Sequence, residues 1–177
     1  RIDAATYSVP LLAYGQTYYW RIDEVNQTPD NYIFKGNVWS FTAEPYEYTV
    51  RPVAATASSA QAGMGPEKTI DGSGLTGDLH GTGETTMWLS AGVAPNWIQY
   101  EFDHAYTLSR MQVWNSNQLF ETFLGFGAKQ VTVETSLDGT TWTSLADVPE
   151  FAQAPAAAGY AANTTVNFGG VSAKYVK

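Results

Sequence analysis

Apolar and polar residues alternate with a period of two along much of the chain, and this pattern limits the possible folds more than any other feature. In residues 18–23, Tyr18, Trp20 and Ile22 fall on one face. The same alternation returns at residues 39–42, 98–103, 110–113, 131–134 and 165–168. Successive side chains of a β-strand point to opposite faces, so each segment predicts a half-buried strand. No long stretch has a helical period, and the sequence therefore predicts an all-β sandwich.

The composition excludes several classes of protein. Aromatic residues make up 14% of the chain and charged residues 15%, against about 25% charged residues in an average globular protein, so general disorder is excluded. The net charge is −8 and Lys and Arg form no cluster, which argues against nucleic acid and anionic membranes as partners. The chain has no cysteine and no run of apolar residues long enough to span a bilayer, so neither disulfides nor membrane insertion is expected.

The chain divides near a proline-flanked segment. Residues 44–53 contain Pro45 and Pro52 and predict an extended linker between two domains. The preceding residues 1–43 contain too few strands to close a sandwich, and residues 54–177 hold most of a second domain. The abrupt start at Arg1 and end at Lys177 suggest a fragment of a longer protein.

Residues 12–42 resemble the last strands of a fibronectin type III-like domain. The resemblance rests on the segments 11–18, 19–23 and 38–42, which read LLAYGQTY, YWRID and VWSFT. In the first of them Leu12, Gly15 and Tyr18 are three residues apart, which suits a tyrosine corner. Tyr18 could equally be a core aromatic residue of its strand. The resemblance implies a partial β-sandwich that acts as a spacer.

The larger segment carries a second and more extensive set of motifs. They are residues 55–59 (ATASS), 68–72 (KTIDG), 86–88 (TMW), 97–102 (WIQYEF) and 136–142 (SLDGTTW). In order and spacing they resemble the coagulation factor five/eight type C domain, also called the discoidin domain. The resemblance implies an eight-stranded, galactose-binding-like jelly roll, truncated here because the family's closing strand is absent. It also implies an extracellular binding role, often for carbohydrate, and it places Trp88, Trp97 and Trp142 in the core.

The glycine-rich loop between Asp71 and Thr86 is a candidate calcium site. Calcium requires six to eight oxygen ligands, and a loop rich in glycine lets backbone carbonyls converge. The resembled family has a structural calcium site on this loop, with an Asp-Gly pair, a second Asp or Asn, and a Thr-x-Trp motif. Asp71 and Thr86 match that pattern, and Asp78 supplies the second acid only after an insertion. The alternative is a solvated loop, which accounts equally for His80 and Glu84.

A second constellation suits sugar binding. Alternation directs Met111 and Val113 inward and Trp114 outward, next to the amides of Asn115 and Asn117. Sugars are held by an aromatic plane under their C–H face and by polar groups on their hydroxyls. The predicted ligand-binding residues are Trp114, Asn115, Asn117, Phe123, Phe126, His80 and Glu84. The alternative is that the apolar loop 119–128 buries itself over Trp114.

The function predicted from these observations is non-catalytic carbohydrate binding. The chain contains none of the common hydrolase, metalloprotease or phosphate-binding motifs, and its carboxylates form no marked acid–base pair. A catalytic domain elsewhere in a longer parent chain is left open. The expected context is a secreted or cell-surface multi-domain protein in which this module is monomeric. The alternative function is a structural or cell-adhesion module that binds protein or cell-surface ligands.

Overall fold

The computed structural model describes residues 6–10, 12–13, 15–26, 31–43, 47–92 and 94–177. The chain forms two compact units, Arg1–Thr49 and Val50–Lys177. Helical structure in the described residues is confined to one four-residue helix, α1 (Glu121–Leu124), and to 3-10 turns at Pro66–Thr69 and Glu84–Thr86. The fold is all-β, as predicted. None of these helical segments approaches the length and apolar character of a membrane span.

The first unit consists of two strand pairs. Strands β1 (Thr17–Trp20) and β4 (Trp39–Thr42) pair antiparallel, as do β2 (Glu24–Val25) and β3 (Ile33–Phe34). The register places Tyr18 against Phe41, and their rings stack with centroids 5.9 Å apart. The Tyr18 hydroxyl accepts a hydrogen bond of 2.8 Å from the backbone N–H of Ala13, which is the bond expected of a tyrosine corner. The fibronectin type III-like assignment of this unit stays a prediction.

Two long strands dominate the second unit. Strand β8 (Ile98–Val113) has 16 residues and pairs antiparallel with the 13-residue β12 (Thr164–Val176). The two alternating segments predicted at residues 98–103 and 110–113 are therefore parts of one strand. The register shifts between Asn167 and Val171, where Gly169 and Gly170 have φ values of 63° and 82° that favour glycine.

Among the described residues of this unit, six shorter strands complete the sheet that contains this pair and form a second, three-stranded sheet. These strands are β5 (Ala54–Ala57), β6 (Leu75–Thr76), β7 (Leu79–His80), β9 (Glu134–Ser136), β10 (Thr143–Ser144) and β11 (Tyr160–Ala161). The five-stranded sheet has the order β10-β9-β12-β8-β5, and the three-stranded sheet has the order β11-β7-β6.

The hydrophobic core of the second unit lies against the long strands. Its buried members are Phe102, Leu108, Val133, Val166, Phe168, Ala173 and Val176. The predicted strand at residues 131–134 is wrong, because β9 begins only at Glu134, although Val133 is still buried in the core. The core assignment of Trp97 is also wrong, because 39% of that residue is exposed. Trp88 and Trp142 are half-buried.

Candidate functional site

Three connecting segments meet at one place in the second unit: residues 71–87, 114–128 and 149–163, here called the loop cluster. Side-chain amides and an indole join them to one another. Asn117 Nδ2 donates to the carbonyls of Gly81 and Ala157 at 2.9 and 2.8 Å. Trp114 Nε1 donates to the Asp78 carbonyl at 3.0 Å. The loop cluster is therefore held by polar contacts between segments that are far apart in the sequence.

The side chain of Asn115 makes four hydrogen bonds in the loop cluster. Its Nδ2 donates to the carbonyls of Ala128 and Ala152 at 2.7 and 3.0 Å, and its Oδ1 accepts from the N–H groups of Ser116 and Ala128 at 2.9 and 3.0 Å. Its own N–H donates to the Tyr160 hydroxyl, whose pKa is raised above its ordinary value chiefly by burial. Because Asn115 is buried and fully bonded, its amide holds the architecture and is not displayed to a ligand.

Asn117 is buried even more completely, with no measurable exposure. Its Nδ2 bonds to backbone carbonyls, and its Oδ1 has no partner among the described residues, a condition it shares with the buried Gln118 Nε2. Both predicted asparagines thus face the interior, and we leave them out of the proposed ligand contacts.

Three other predicted ligand residues differ in their exposure. Trp114 is half-buried and bound to the tip of the β6–β7 hairpin, so its ring is only partly available. His80 is buried on β7, where its Nδ1 lies 2.7 Å from the Gly81 carbonyl. Glu84 is exposed at the start of a 3-10 turn. None of these three side chains lines either of the two pockets described below.

The apolar loop after Asn117 does not bury itself over Trp114, so that alternative from the sequence is wrong. Phe123 is 86% exposed and Phe126 is 42% exposed. The aliphatic and aromatic neighbours on the same loop are exposed as well; they are Leu119, Phe120 and Leu124. An ordered loop that holds this many apolar side chains in water is unusual unless it contacts another molecule.

Hydrogen bonds fix the shape of this loop. The Glu121 carboxylate accepts the N–H of Phe126 at 2.9 Å and that of Gly127 at 3.1 and 3.2 Å. Gly125 ends α1 in the left-handed conformation, with φ of 63°, which lets the chain turn back at once. Phe126 consequently occupies a defined position between two glycines.

A solvent-open pocket of about 480 Å³ lies beside the backbone on either side of Phe126, since Gly125 and Gly127 line it and Phe126 itself does not. Sequence reasoning missed its polar side chains, since Lys129, Glu150 and Gln153 carry no motif. Lys129 Nζ lies 3.7 Å from Glu150 Oε2, and Gln153 Nε2 donates to the Glu121 carbonyl at 2.7 Å. The full lining consists of Asn115, Glu121, Gly125, Gly127, Ala128, Lys129, Glu150, Phe151, Ala152 and Gln153.

A second pocket of about 360 Å³ lies at the Asp138 turn. Its polar groups are already engaged: Asp138 Oδ1 accepts the N–H groups of Thr141 and Thr140 at 2.7 and 2.8 Å. These bonds hold the pKa of Asp138 well below its ordinary value of 3.8. No aromatic residue lines this pocket, so it lacks the apolar plane that a sugar ring needs.

Comparison with known proteins decides the family. Residues 68–177 match the F5/F8 type C family described as the NedA-like, galactose-binding domain, over more than half of the chain. The chain belongs to this family. A solved structure described as "X-ray structure of GH31 CBM32-2 bound to GalNAc" is 19% identical, covering 70% of this chain and 82% of that one, with a TM-score of 0.41. No curated protein matches the chain.

Membership of the galactose-binding-like family confirms the predicted fold class, a β-sandwich of the jelly-roll type. The loop cluster lies between residues 71 and 163 and is therefore inside the segment that matches the family. The pocket beside Phe126 therefore belongs to the galactose-binding-like domain itself.

The predicted calcium ligands of this galactose-binding-like domain are only partly grouped. Asp78 lies at the tip of the β6–β7 hairpin. The base of this hairpin is closed by a hydrogen bond from the Gly81 N–H to the Gly74 carbonyl, and Asp71 precedes that base in the chain. The Thr86 hydroxyl donates to the Gly83 carbonyl at 2.6 Å. Among the described residues, no group of three or more His, Cys, Asp or Glu side chains could hold a metal.

The Asp71 carboxylate is one candidate calcium donor on this loop. Ser73 donates hydrogen bonds to it and keeps the pKa of Asp71 below its ordinary value, so it is ionised at neutral pH. Lys68 Nζ lies 3.6 Å from Asp71 Oδ2, and a calcium ion would have to compete with that ammonium group. With one carboxylate and one hydroxyl, most other ligands would be backbone carbonyls. Calcium binding stays a proposal and is tested below.

Proposed function

We propose that this chain is a non-catalytic carbohydrate-binding module whose ligand occupies the pocket beside Phe126. One observation carries the proposal: the exposed Phe126 lies between two glycines that line an open pocket, whose lining also includes polar side chains. A sugar requires both elements, because its C–H face packs on an aromatic plane while its hydroxyls exchange hydrogen bonds. Membership of a galactose-binding-like family supports the same function.

Each part of the site has a distinct role in this proposal. Phe126 is the platform, and the more exposed Phe123 is a second ring within the same loop. Lys129 and Glu150 are the exposed charged groups that reach sugar hydroxyls, Lys129 as donor and Glu150 as acceptor. Gln153 Nε2 is committed to the Glu121 carbonyl, which leaves its Oε1 as an acceptor for a ligand hydroxyl.

A structural or adhesive role that binds protein is the second candidate, and one observation favours it. Leu119, Phe120 and Leu124 are each 63% exposed on the same loop as Phe126. A single sugar ring would cover only part of this apolar surface, whereas a protein partner could cover all of it.

We also propose that the module works within a secreted or cell-surface multi-domain protein. The first unit would serve there as a fibronectin type III-like spacer, a role supported by the Tyr18–Ala13 hydrogen bond and by the antiparallel pairing of β1 with β4. Weak single-site affinity would then be compensated by other binding modules of the same protein.

The proposal is tested by glycan-array screening followed by calorimetric titration with galactose, N-acetylgalactosamine and simple galactosides. An open, shallow site predicts Kd of about 0.1–1 mM, or roughly −4 to −5.5 kcal/mol. Phe126→Ala should weaken binding by about tenfold or more, because it removes the apolar plane. Leu137→Ala is the matched control: it also removes an exposed apolar side chain, but one that lines the second pocket.

Three results contradict the proposal in different ways. Failure of the wild-type chain to bind any glycan rejects carbohydrate binding and favours the protein-binding alternative. Unchanged binding by Phe126→Ala with loss of binding by a folded Trp114→Ala moves the site to Trp114. Loss of binding by Leu137→Ala alone moves it to the second pocket.

A further inference from the structure

Glu121 is a buried carboxylate without a cationic partner. It is only 1% exposed, and none of the described residues forms an ion pair with it. Its oxygens instead accept hydrogen bonds from the backbone N–H groups of Phe126 and Gly127. A charged group removed from water is costly unless it is hydrogen-bonded, so the arrangement indicates a specific use for this carboxylate.

The carboxylate orders a segment that could not order itself. Helix α1 has four residues, which is far below the length at which an isolated helix is stable. The chain reverses at Gly125, and the next two N–H groups both point to Glu121. The course of the backbone that carries Phe126 therefore depends directly on this side chain.

The backbone of Glu121 fixes the opposite side of the pocket. Its carbonyl accepts Gln153 Nε2 at 2.7 Å, which joins the segment 149–163 to the aromatic loop. Glu121 thus holds both the proposed platform and one proposed polar contact, although its own oxygens are turned away from solvent.

We infer that Glu121 is the positioning residue of this site: its carboxylate holds the backbone that carries Phe126, and its carbonyl holds the Gln153 amide. The inference rests on the proposed function. Glu121 does not contact the ligand; it acts through Phe126 and Gln153.

Glu121→Gln tests the inference with almost no change of shape. One carboxylate oxygen becomes an NH2 group, a donor that faces a backbone N–H and cannot bond to it. We expect Kd for the tightest-binding galactoside to rise about tenfold, with amide hydrogen exchange accelerated at Phe126 and Gly127. Glu134→Gln is the matched control, because Glu134 pairs with Lys177 at 2.7 Å outside the loop cluster and its replacement should leave Kd unchanged.

A double-mutant cycle separates positioning from a general loss of structure. If Glu121 acts through the platform, Glu121→Gln should weaken binding much less in a Phe126→Ala background than in the wild type. Full additivity would overturn the inference, as would wild-type affinity and exchange rates in Glu121→Gln. If Glu121→Gln fails to fold, Glu121→Asp, which keeps the charge but shortens the reach, replaces it in the same cycle.

The two proposals fail in different ways. Absence of glycan binding by the wild-type chain rejects the proposed function. The exchange rates of Phe126 and Gly127 still decide, without any ligand, whether Glu121 fixes the loop. Unchanged exchange in Glu121→Gln would overturn the positioning role even if the wild type binds sugar.

Discussion

Replacing Asn115 by alanine should strongly destabilise the second unit. The substitution removes four hydrogen bonds to the backbone of Ser116, Ala128 and Ala152. At a net value of about 1 kcal/mol each, their loss would cost about 4 kcal/mol. Ala128 and Ala152 are exposed, so water can replace part of this bonding, and the expected loss is about 3 kcal/mol.

Asn117→Ala is the comparison that tests this reasoning. It removes only the two bonds to Gly81 and Ala157, and it also removes an Oδ1 atom that is buried without a partner. The relief of that unpaired acceptor offsets part of the loss, so we expect a cost of about 1 kcal/mol. Asn115→Asp should be at least as damaging as Asn115→Ala, because a carboxylate oxygen would face two backbone carbonyls.

Urea denaturation followed by circular dichroism measures these differences. A loss of 3 kcal/mol corresponds to a fall in Tm of roughly 6–12 °C for a chain of this size. Two results would refute the reasoning: an Asn115→Ala variant within about 0.5 kcal/mol of wild type, or an Asn117→Ala variant that is the less stable of the two.

Three further predictions concern other parts of the chain. Calcium in hundredfold excess over its Kd should stabilise the wild type by about 2.7 kcal/mol but leave Asp71→Asn unaffected, and equal melting curves with calcium and with chelator would reject the site. The depressed pKa of Asp138 means that its contribution to stability is present above its unfolded-state pKa and is lost as the pH falls through the lower folded-state value. The difference in Tm between wild type and Asp138→Asn should therefore shrink only as the pH falls below the ordinary value of 3.8, and a difference that stays constant there would contradict this. Tyr18→Phe removes the acceptor of the Ala13 N–H and should accelerate hydrogen exchange at that amide, while Tyr19→Phe should not.

The strands could largely be predicted from the sequence because alternation is a direct consequence of strand geometry. The segments around Tyr18, Trp39, Phe102, Met111 and Val166 all lie in strands. The continuity of β8 could not be predicted, because residues 103–107 are largely exposed and show no apolar period. The fold class followed from strands and motifs together.

The candidate site was less accessible to sequence reasoning. An amide suits a sugar hydroxyl and a backbone carbonyl equally well, so the types of Asn115 and Asn117 could not reveal that both are structural. Lys129 and Gln153 are separated by 23 intervening residues and meet only in the folded chain. One signal was available: Glu121 is the single charged residue in the largely apolar segment LFETFLGFG, and a charged residue in such a segment must be hydrogen-bonded if it is buried.

The way in which the loop cluster is held makes this chain a candidate scaffold for directed evolution. Asn115, Glu121 and Gly125 set the course of the aromatic loop, while the side chains of Phe123, Leu124 and Phe126 contribute little to that course. A library that randomises Phe123, Leu124 and Phe126 but keeps the three residues that set the course of the loop should consist mostly of folded members. Selection for a new ligand could then proceed without simultaneous selection for stability.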